Sequence, residues 1–229
     1  MTTQVDCYNL ALTMLDVSQS VQSINDGTPQ AGACNRFYDF ARKRVLERCY
    51  WDFATKTAAL ALLLDQSTVA TQAQLLFPGW RYIYAQPTDC LRGLAVTTQY
   101  GVRLNPFTRS WWYDMSQAPQ WGPYRPPWRQ CADLFNSPPQ AVNLLTDQDS
   151  AWFVYVIDIQ NTNMWTQAFM ECVAWNLAAK IAGPVSANEA AKAMAIKMAD
   201  QSIASAMMIQ LNSQQPDPYP DSPGITARN

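Results

Sequence analysis

Trp165, Phe169, Val173, Leu177 and Ile181 step by four residues along the last third of the chain, a spacing that an α-helix gathers onto one stripe. Ala168, Ala174, Ala178, Ala179 and Ala182 flank it, and side chains that small let a neighbouring helix approach closely. Such a segment must be wrapped by other elements. The stripe predicts a helix over 163–182, stopped by Gly183-Pro184. Ser186-Ala187-Asn188-Glu189 then has the S-x-x-E form of a capping box. It opens a further helix to about Leu211, with Ile196, Ala199, Ile203, Ala206 and Met207 on one face.

The beginning of the chain is helical by the same criterion. Val5, Tyr8, Leu12 and Leu15 predict a helix over 4–17. Phe37, Ala41 and Val45 predict another over about 30–50, after the turn formers Asn25-Asp26-Gly27-Thr28-Pro29. On another face of it, Asp39, Lys43 and Glu47 alternate in sign at helical spacing. Between Trp51 and about Gln160 the stripes stop and prolines become frequent. The runs 81–85, 94–98, 141–145 and 152–156 read as short strands, the last two joined by Asp147-Gln148-Asp149-Ser150 as a hairpin turn. The order predicts an α+β chain in four parts: helical residues 1–52, an inserted antiparallel β domain over 53–161, helical residues 162–212, and an extended C-terminal arm over 213–229. Pro216, Pro218, Pro220 and Pro223 deny the arm helical bonding and favour polyproline II. At ~3.1 Å per residue, about sixteen residues reach about 50 Å.

The chain has no histidine among its 229 residues. That excludes Ser-His-Asp and Cys-His nucleophile pairs and zinc sites built on imidazole. There is no glycine-rich phosphate loop. Asp147 and Asp149 stand in a turn, where Asp is a good turn former, and no motif selects a carboxylate pair. The expectation is a protein with no catalytic chemistry, no metal and no cofactor. The six cysteines form no C-x-x-C pair. Cys49, Cys90, Cys131 and Cys172 recur every 41 residues, but in unrelated contexts. With Cys7 and Cys34 they read as free thiols serving as small core hydrophobes. Residues 1–6 lack the character of a secretory signal. The longest apolar runs, 58–64 and 151–157, fall far short of the ~20 residues of a membrane helix. Synthesis in a reducing cytoplasm is expected.

Charged residues are 15% of the chain and hydrophobic ones 48%, where about a quarter charged is usual for a soluble domain. That balance suits a surface that meets other chains. The formal net charge of -2 gives no global field for nucleic acid. Phe107 to Trp128 is the most unusual stretch, with Trp111, Trp112, Tyr113, Trp121 and Tyr124 set among Arg109, Arg125 and several prolines. Aromatics beside arginines anchor protein interfaces, and they also stack nucleobases or sugars. The first use, or packing on the chain's own β domain, is preferred; a carbohydrate- or nucleic-acid-binding module is the alternative. Arg36, Arg42, Lys43, Arg44 and Arg48 form a basic cluster in the second helix. Phosphate contact is one use for it. The preferred one is a solvated or subunit-facing side, partly offset by Asp39, Glu47 and Asp52.

Three segments together resemble one family. The first is Tyr38-Asp39-Phe40-Ala41-Arg42, followed by Val45-Leu46 and Trp51-Asp52-Phe53-Ala54-Thr55-Lys56. The second is Tyr82-Ile83-Tyr84-Ala85-Gln86-Pro87-Thr88-Asp89-Cys90-Leu91-Arg92. The third is the late helix pair with Phe169 and Leu177-Ala178-Ala179-Lys180-Ile181-Ala182, followed by the proline-rich end with Arg228. In this order they resemble the head-to-tail adaptors of short-tailed bacteriophages, called tail tubular protein A or gatekeeper proteins in T7-like phages. The aromatic stretch after Phe107 departs from that pattern.

The resemblance implies a helical bundle formed by both ends of the chain, with the β domain inserted. It implies a structural virion protein, made in the host cytoplasm and placed at the head-tail interface. Twelve copies would form a homo-oligomeric connector ring joining the portal protein to the tail nozzle protein, tail tubular protein B, with tail fibres seated nearby. Genomic DNA would pass through the ring during ejection without sequence-specific binding. On this reading Tyr219, Ile225 and Arg228 of the arm contact the portal. Trp111, Trp112, Trp121, Tyr124 and Trp128 face the nozzle or fibres.

Overall fold

The computed structural model describes residues 3–68, 77–97, 127–132, 141–186 and 188–213. Among them the chain is mixed α+β, with four α-helices and two antiparallel sheets. The first helix, α1 (Gln4–Met14), opens on a reciprocal capping box between Thr3 and Asp6. It stops short of the expected residue 17 because Asp16 adopts a left-handed φ of 60°. α2 (Pro29–Arg48) starts at proline, where the missing N–H costs nothing, and Thr28 caps it through the amide of Ala31.

Both late helices differ from their predicted bounds. α3 spans Gln167–Val185, because Thr166 accepts a hydrogen bond from the Phe169 amide and fixes the start there. Gly183-Pro184 does not stop it. Pro184 lies in the last turn, where its ring removes one terminal bond only, and the Ser186 amide still closes on the Ala182 carbonyl. Ser186 is therefore the end of α3 and not the cap of the next helix. Asn188 takes that role, its Oδ1 accepting from the amides of Ala190 (3.0 Å) and Ala191 (3.2 Å), and α4 runs Glu189–Ser213. The Ser186 hydroxyl donates instead to the Leu15 carbonyl, holding the α3–α4 corner to the end of α1.

Strands β3 (Tyr82–Ala85), β4 (Cys90–Thr97), β6 (Val142–Thr146) and β7 (Trp152–Ile157) fall where the sequence placed strands. Three more were not anticipated: β1 (Thr55–Ala59), β2 (Ala61–Asp65) and β5 (Trp128–Ala132). One sheet has the order β1-β7-β4, the other β2-β3-β6-β5. The expected β6–β7 hairpin is thereby corrected, since the two strands belong to different sheets. The turn at 147–150 carries the chain across, with Ser150 at a φ of 51° and the Asp147 carboxylate accepting from the Arg81 amide.

Two apolar clusters result, and β7 divides them. Val156 faces a cluster in which α3 meets α1, α2 and α4, centred on Leu12, Val45, Trp51, Phe169, Val173 and Leu177. Phe153 and Tyr155 point the other way, onto Tyr82, Tyr84 and Leu144 of the second sheet. A strand covered on both faces needs apolar residues at every position, which explains the unbroken run of β7. The layers are helices, three-stranded sheet, four-stranded sheet.

Candidate functional site

Of the residues predicted to make contacts, Trp111, Trp112, Trp121, Tyr124, Tyr219, Ile225 and Arg228 lie outside the described residues. Trp128 is placed, and its ring is turned toward the protein. It stands at the start of β5 and meets Phe153 edge to face, with ring centroids 5.4 Å apart and planes at 76°. Gly93 of β4 makes room for both rings. A Cβ there would lie 2.5 Å from the Phe153 ring and 2.6 Å from that of Trp128. Trp128 thus serves the packing between the two sheets.

The basic cluster of α2 separates into an interior and a surface part. Arg42 is 2% exposed. Its Nε and Nη2 bind both oxygens of Asp158 at 2.9 and 3.0 Å, and Nη1 binds Asp39 at 2.8 Å. Burial alone would lower the guanidinium's pKa; the bonds and charge of Asp158, then Asp39, outweigh it and raise it. Asp158 follows β7 directly, so this ion pair bolts the sheet to the helices across 116 residues of sequence. Arg44 and Arg48 lie on the surface and share the one carboxylate of Asp200 in α4, at 3.7 and 2.5 Å. Sequence reasoning found the arginines and one of their acids, Asp39; it missed Asp158 and Asp200 because they come from the other end of the chain.

The thiols are set for packing and not for chemistry. Cys7, Cys34, Cys49 and Cys172 are buried. Burial, with the neighbouring Cys34 and Asp6, pushes Cys7 up to about 12. Burial lifts Cys34 to about 11. For Cys49 burial, then the neighbouring Cys172, gives about 12. All stay protonated at neutral pH, the form that is neither nucleophile nor metal ligand. Among the described residues no group of three or more Cys, Asp or Glu side chains is placed to hold a metal ion. None of the described helices is long and apolar enough to cross a membrane.

A surface triad joins the two edges of the first sheet. Asp89 accepts from Lys56 Nζ at 2.6 Å and from the Tyr155 hydroxyl at 2.9 Å. The Lys56 bond holds the carboxyl below its usual range, while burial and the bond to Asp89 raise the phenol. The result is an ionised Asp and a protonated Tyr, a latch tying β1 and β7 to the β3–β4 turn.

The remaining feature is apolar and exposed. On α4, Met194, Ile196, Met208 and Ile209 are each 50% or more open to solvent, as is Phe40 on α2. Ala168 and Glu171 of α3, with Met198, Ser205 and Ile209 of α4, line a shallow groove of about 170 Å³. Ile196 lies on one flank of α4 and Met194, Met208 and Ile209 on the other; exposed side chains of this size suit contact with protein on both flanks, and methionines adapt readily to a partner's shape. The sequence placed Ile196 among the inward residues of the last helix; the inward stripe is in fact Ala195, Ala199, Ser202, Ile203 and Ala206. Compared with known proteins, the chain matches no family model and no curated protein.

Proposed function

We propose that the chain is the head-to-tail adaptor of a short-tailed bacteriophage. It is a structural subunit whose copies, twelve by the family's pattern, form a connector ring between the portal protein and the tail nozzle, with DNA passing through. The observation that carries this reading is the helical layer. Segments from both ends of the chain, α1 and α2 with α3 and α4, share one apolar cluster, and the strands lie between them in sequence. This sharing supports the reading of a bundle with an inserted β domain, as the resemblance implies. Exposed Phe40, Ile196, Met194 and Met208 on this layer give subunits an apolar surface to bury against each other, as a ring of heterologous contacts requires.

The arm supplies the portal contact. Its prolines lower the entropy lost on docking, Tyr219 and Ile225 are apolar anchors, and Arg228 makes charge-assisted bonds. Trp111, Trp112, Trp121 and Tyr124 serve the nozzle or fibres at the other end. Trp128 packs between the two sheets. The test is truncation after Ser213, where α4 ends. The shortened chain folds with an unchanged circular dichroism spectrum but loses portal binding. Portal binding as tight as that of the full chain would move the contact to the helices.

A further inference from the structure

Three helices line up in register. Phe40 of α2 sits under Lys180 of α3, its ring centroid 4.9 Å from Nζ, while Trp51 just past α2 meets Phe169 near the start of α3. α2 and α3 are therefore antiparallel. Asn176 of α3 bonds the Ala199 carbonyl of α4, and Ser202 of α4 reaches Cys172, so α4 is antiparallel to α3 and parallel to α2. Phe40, Lys180 and Ile196 then fall in one layer. Arg44 and Asp200 fall one turn further on, 3.7 Å apart, and Arg48, a turn beyond Arg44, reaches back to the same carboxylate. Ile196 is one turn before Asp200 and shares its face, so it lies on the α2 side of α4.

This seam has a composition that asks for a particular occupant. Its floor is Phe40, 54% exposed, and Ile196, 61% exposed. Its rim is basic in excess: Arg44 and Arg48 share one carboxylate, Lys180 stands over the Phe40 ring, and Lys43 reaches an Asp158 that Arg42 already holds on both oxygens. Glu47 and Asp39 are the acids on that face of α2, and Asp39 is already bonded to Arg42. An acidic, extended segment with an aromatic side chain would neutralise the rim and cover the floor.

The chain carries one such segment, Asp217-Pro218-Tyr219-Pro220-Asp221, and it begins four residues beyond the end of α4. The distances agree. From Ser213 back to the Ile196 layer is 17 residues of helix, about 26 Å at 1.5 Å per residue. With about two residues spent on reversing direction, six residues of polyproline II, 216–221, span about 19 Å, and long side chains cover the rest. Running back along the seam, Tyr219 arrives beside Arg48, and Asp221 arrives beside Arg44, within side-chain reach of Lys180 in the Phe40 layer.

The geometry points to a docked position of the arm in the isolated subunit, with residues 217–221 lying in cis along the α2–α4 seam. Tyr219 stacks on the Arg48 guanidinium, and Asp221 pairs with Lys180 or Lys43. The inference goes beyond the adaptor reading and does not depend on it. If that reading also holds, the portal competes for an arm already held, which keeps Phe40 and Ile196 covered until assembly.

The test uses the full chain alone. A water-soluble carbodiimide couples carboxylates to lysine amines in direct contact, and mass spectrometry locates the amide. The expected product is Asp221–Lys180 or Asp221–Lys43, formed within one chain in a mixture of light and 15N-labelled protein. Its yield falls at least about fivefold in 1 M NaCl, where screening acts within ~3 Å, and also in Phe40→Ala, an exposed site whose change leaves the fold intact. Coupling of Asp217 and Asp221 to Lys192 or Lys197, coupling between light and heavy chains, or no coupling above the high-salt level overturns the inference.

Discussion

Asp158→Asn removes half of the bond that fastens the sheet to the helices while preserving side-chain volume. In the wild-type chain Asp158 accepts from Arg42 Nε and Nη2, and Arg42 is 2% exposed. Removing one partner of a buried ion pair costs ~3–5 kcal/mol, chiefly because the other charge stays buried. Two facts reduce that figure here. The Asp158 side chain is 23% exposed, and Asp39 still bonds Arg42. The expected loss is therefore ~2–3 kcal/mol. For a domain of this size each kcal/mol moves Tm by ~2–4 °C, so scanning calorimetry should show a fall of about 5–10 °C. The double variant Arg42→Met with Asp158→Leu removes both charges and should recover most of the loss, since an apolar pair of similar volume is often as stable. Asp39, 73% exposed, then returns to water at little cost. A Tm for Asp158→Asn within 1 °C of wild type, or a double variant less stable than the single one, would refute the view that this pair fastens the layers.

Two further outcomes follow from the β layers. Gly93→Ala places a methyl 2.5 Å from the Phe153 ring and 2.6 Å from the Trp128 ring; rings held between two sheets must shift, and urea unfolding should show a loss of ~1–3 kcal/mol. The Asp89 pKa is lowered in the folded state by Lys56, so its stabilisation is present above the unfolded carboxylate range, around pH 4, and is lost as pH falls through the lower folded value. Asp89→Asn should flatten the acid limb of Tm against pH below about pH 4 and leave the region above pH 5 with a constant offset.

What the sequence shows of this molecule follows the range of the interactions involved. The helices were legible because their stripes are local: Phe169, Val173 and Leu177 are core in fact. Caps were legible where one residue competes for the role and misleading where two do. Ser186 and Asn188 both fit, and the tie was broken by the Leu15 carbonyl, 171 residues away from Ser186. β1 and β2 were missed for a related reason. Thr55–Ala59 and Ala61–Asp65 are largely exposed or half-buried and rich in Ala and Leu, and they become strands only because β7 and β3 offer ladders to them. The 147–150 turn looked like a hairpin because its residues suit one, but which sheet each strand joins is decided by partners far along the chain. The surface was least legible. Arg42 reads as one more exposed base until Asp158 is seen beside it, and Ile196 reads as core until its exposure is seen.

The central claim is that this chain is a ring-forming connector that binds a portal. It is tested most directly by native mass spectrometry of the purified chain mixed with the portal protein of the same phage. A monomer alone decides nothing, since adaptors of this kind can stay monomeric until a portal is present. The account predicts one closed complex on each portal ring, with a fixed number of copies, twelve by the family's pattern, and no partial rings at saturation. A mixture in which the portal ring and this chain remain separate at all concentrations would contradict it.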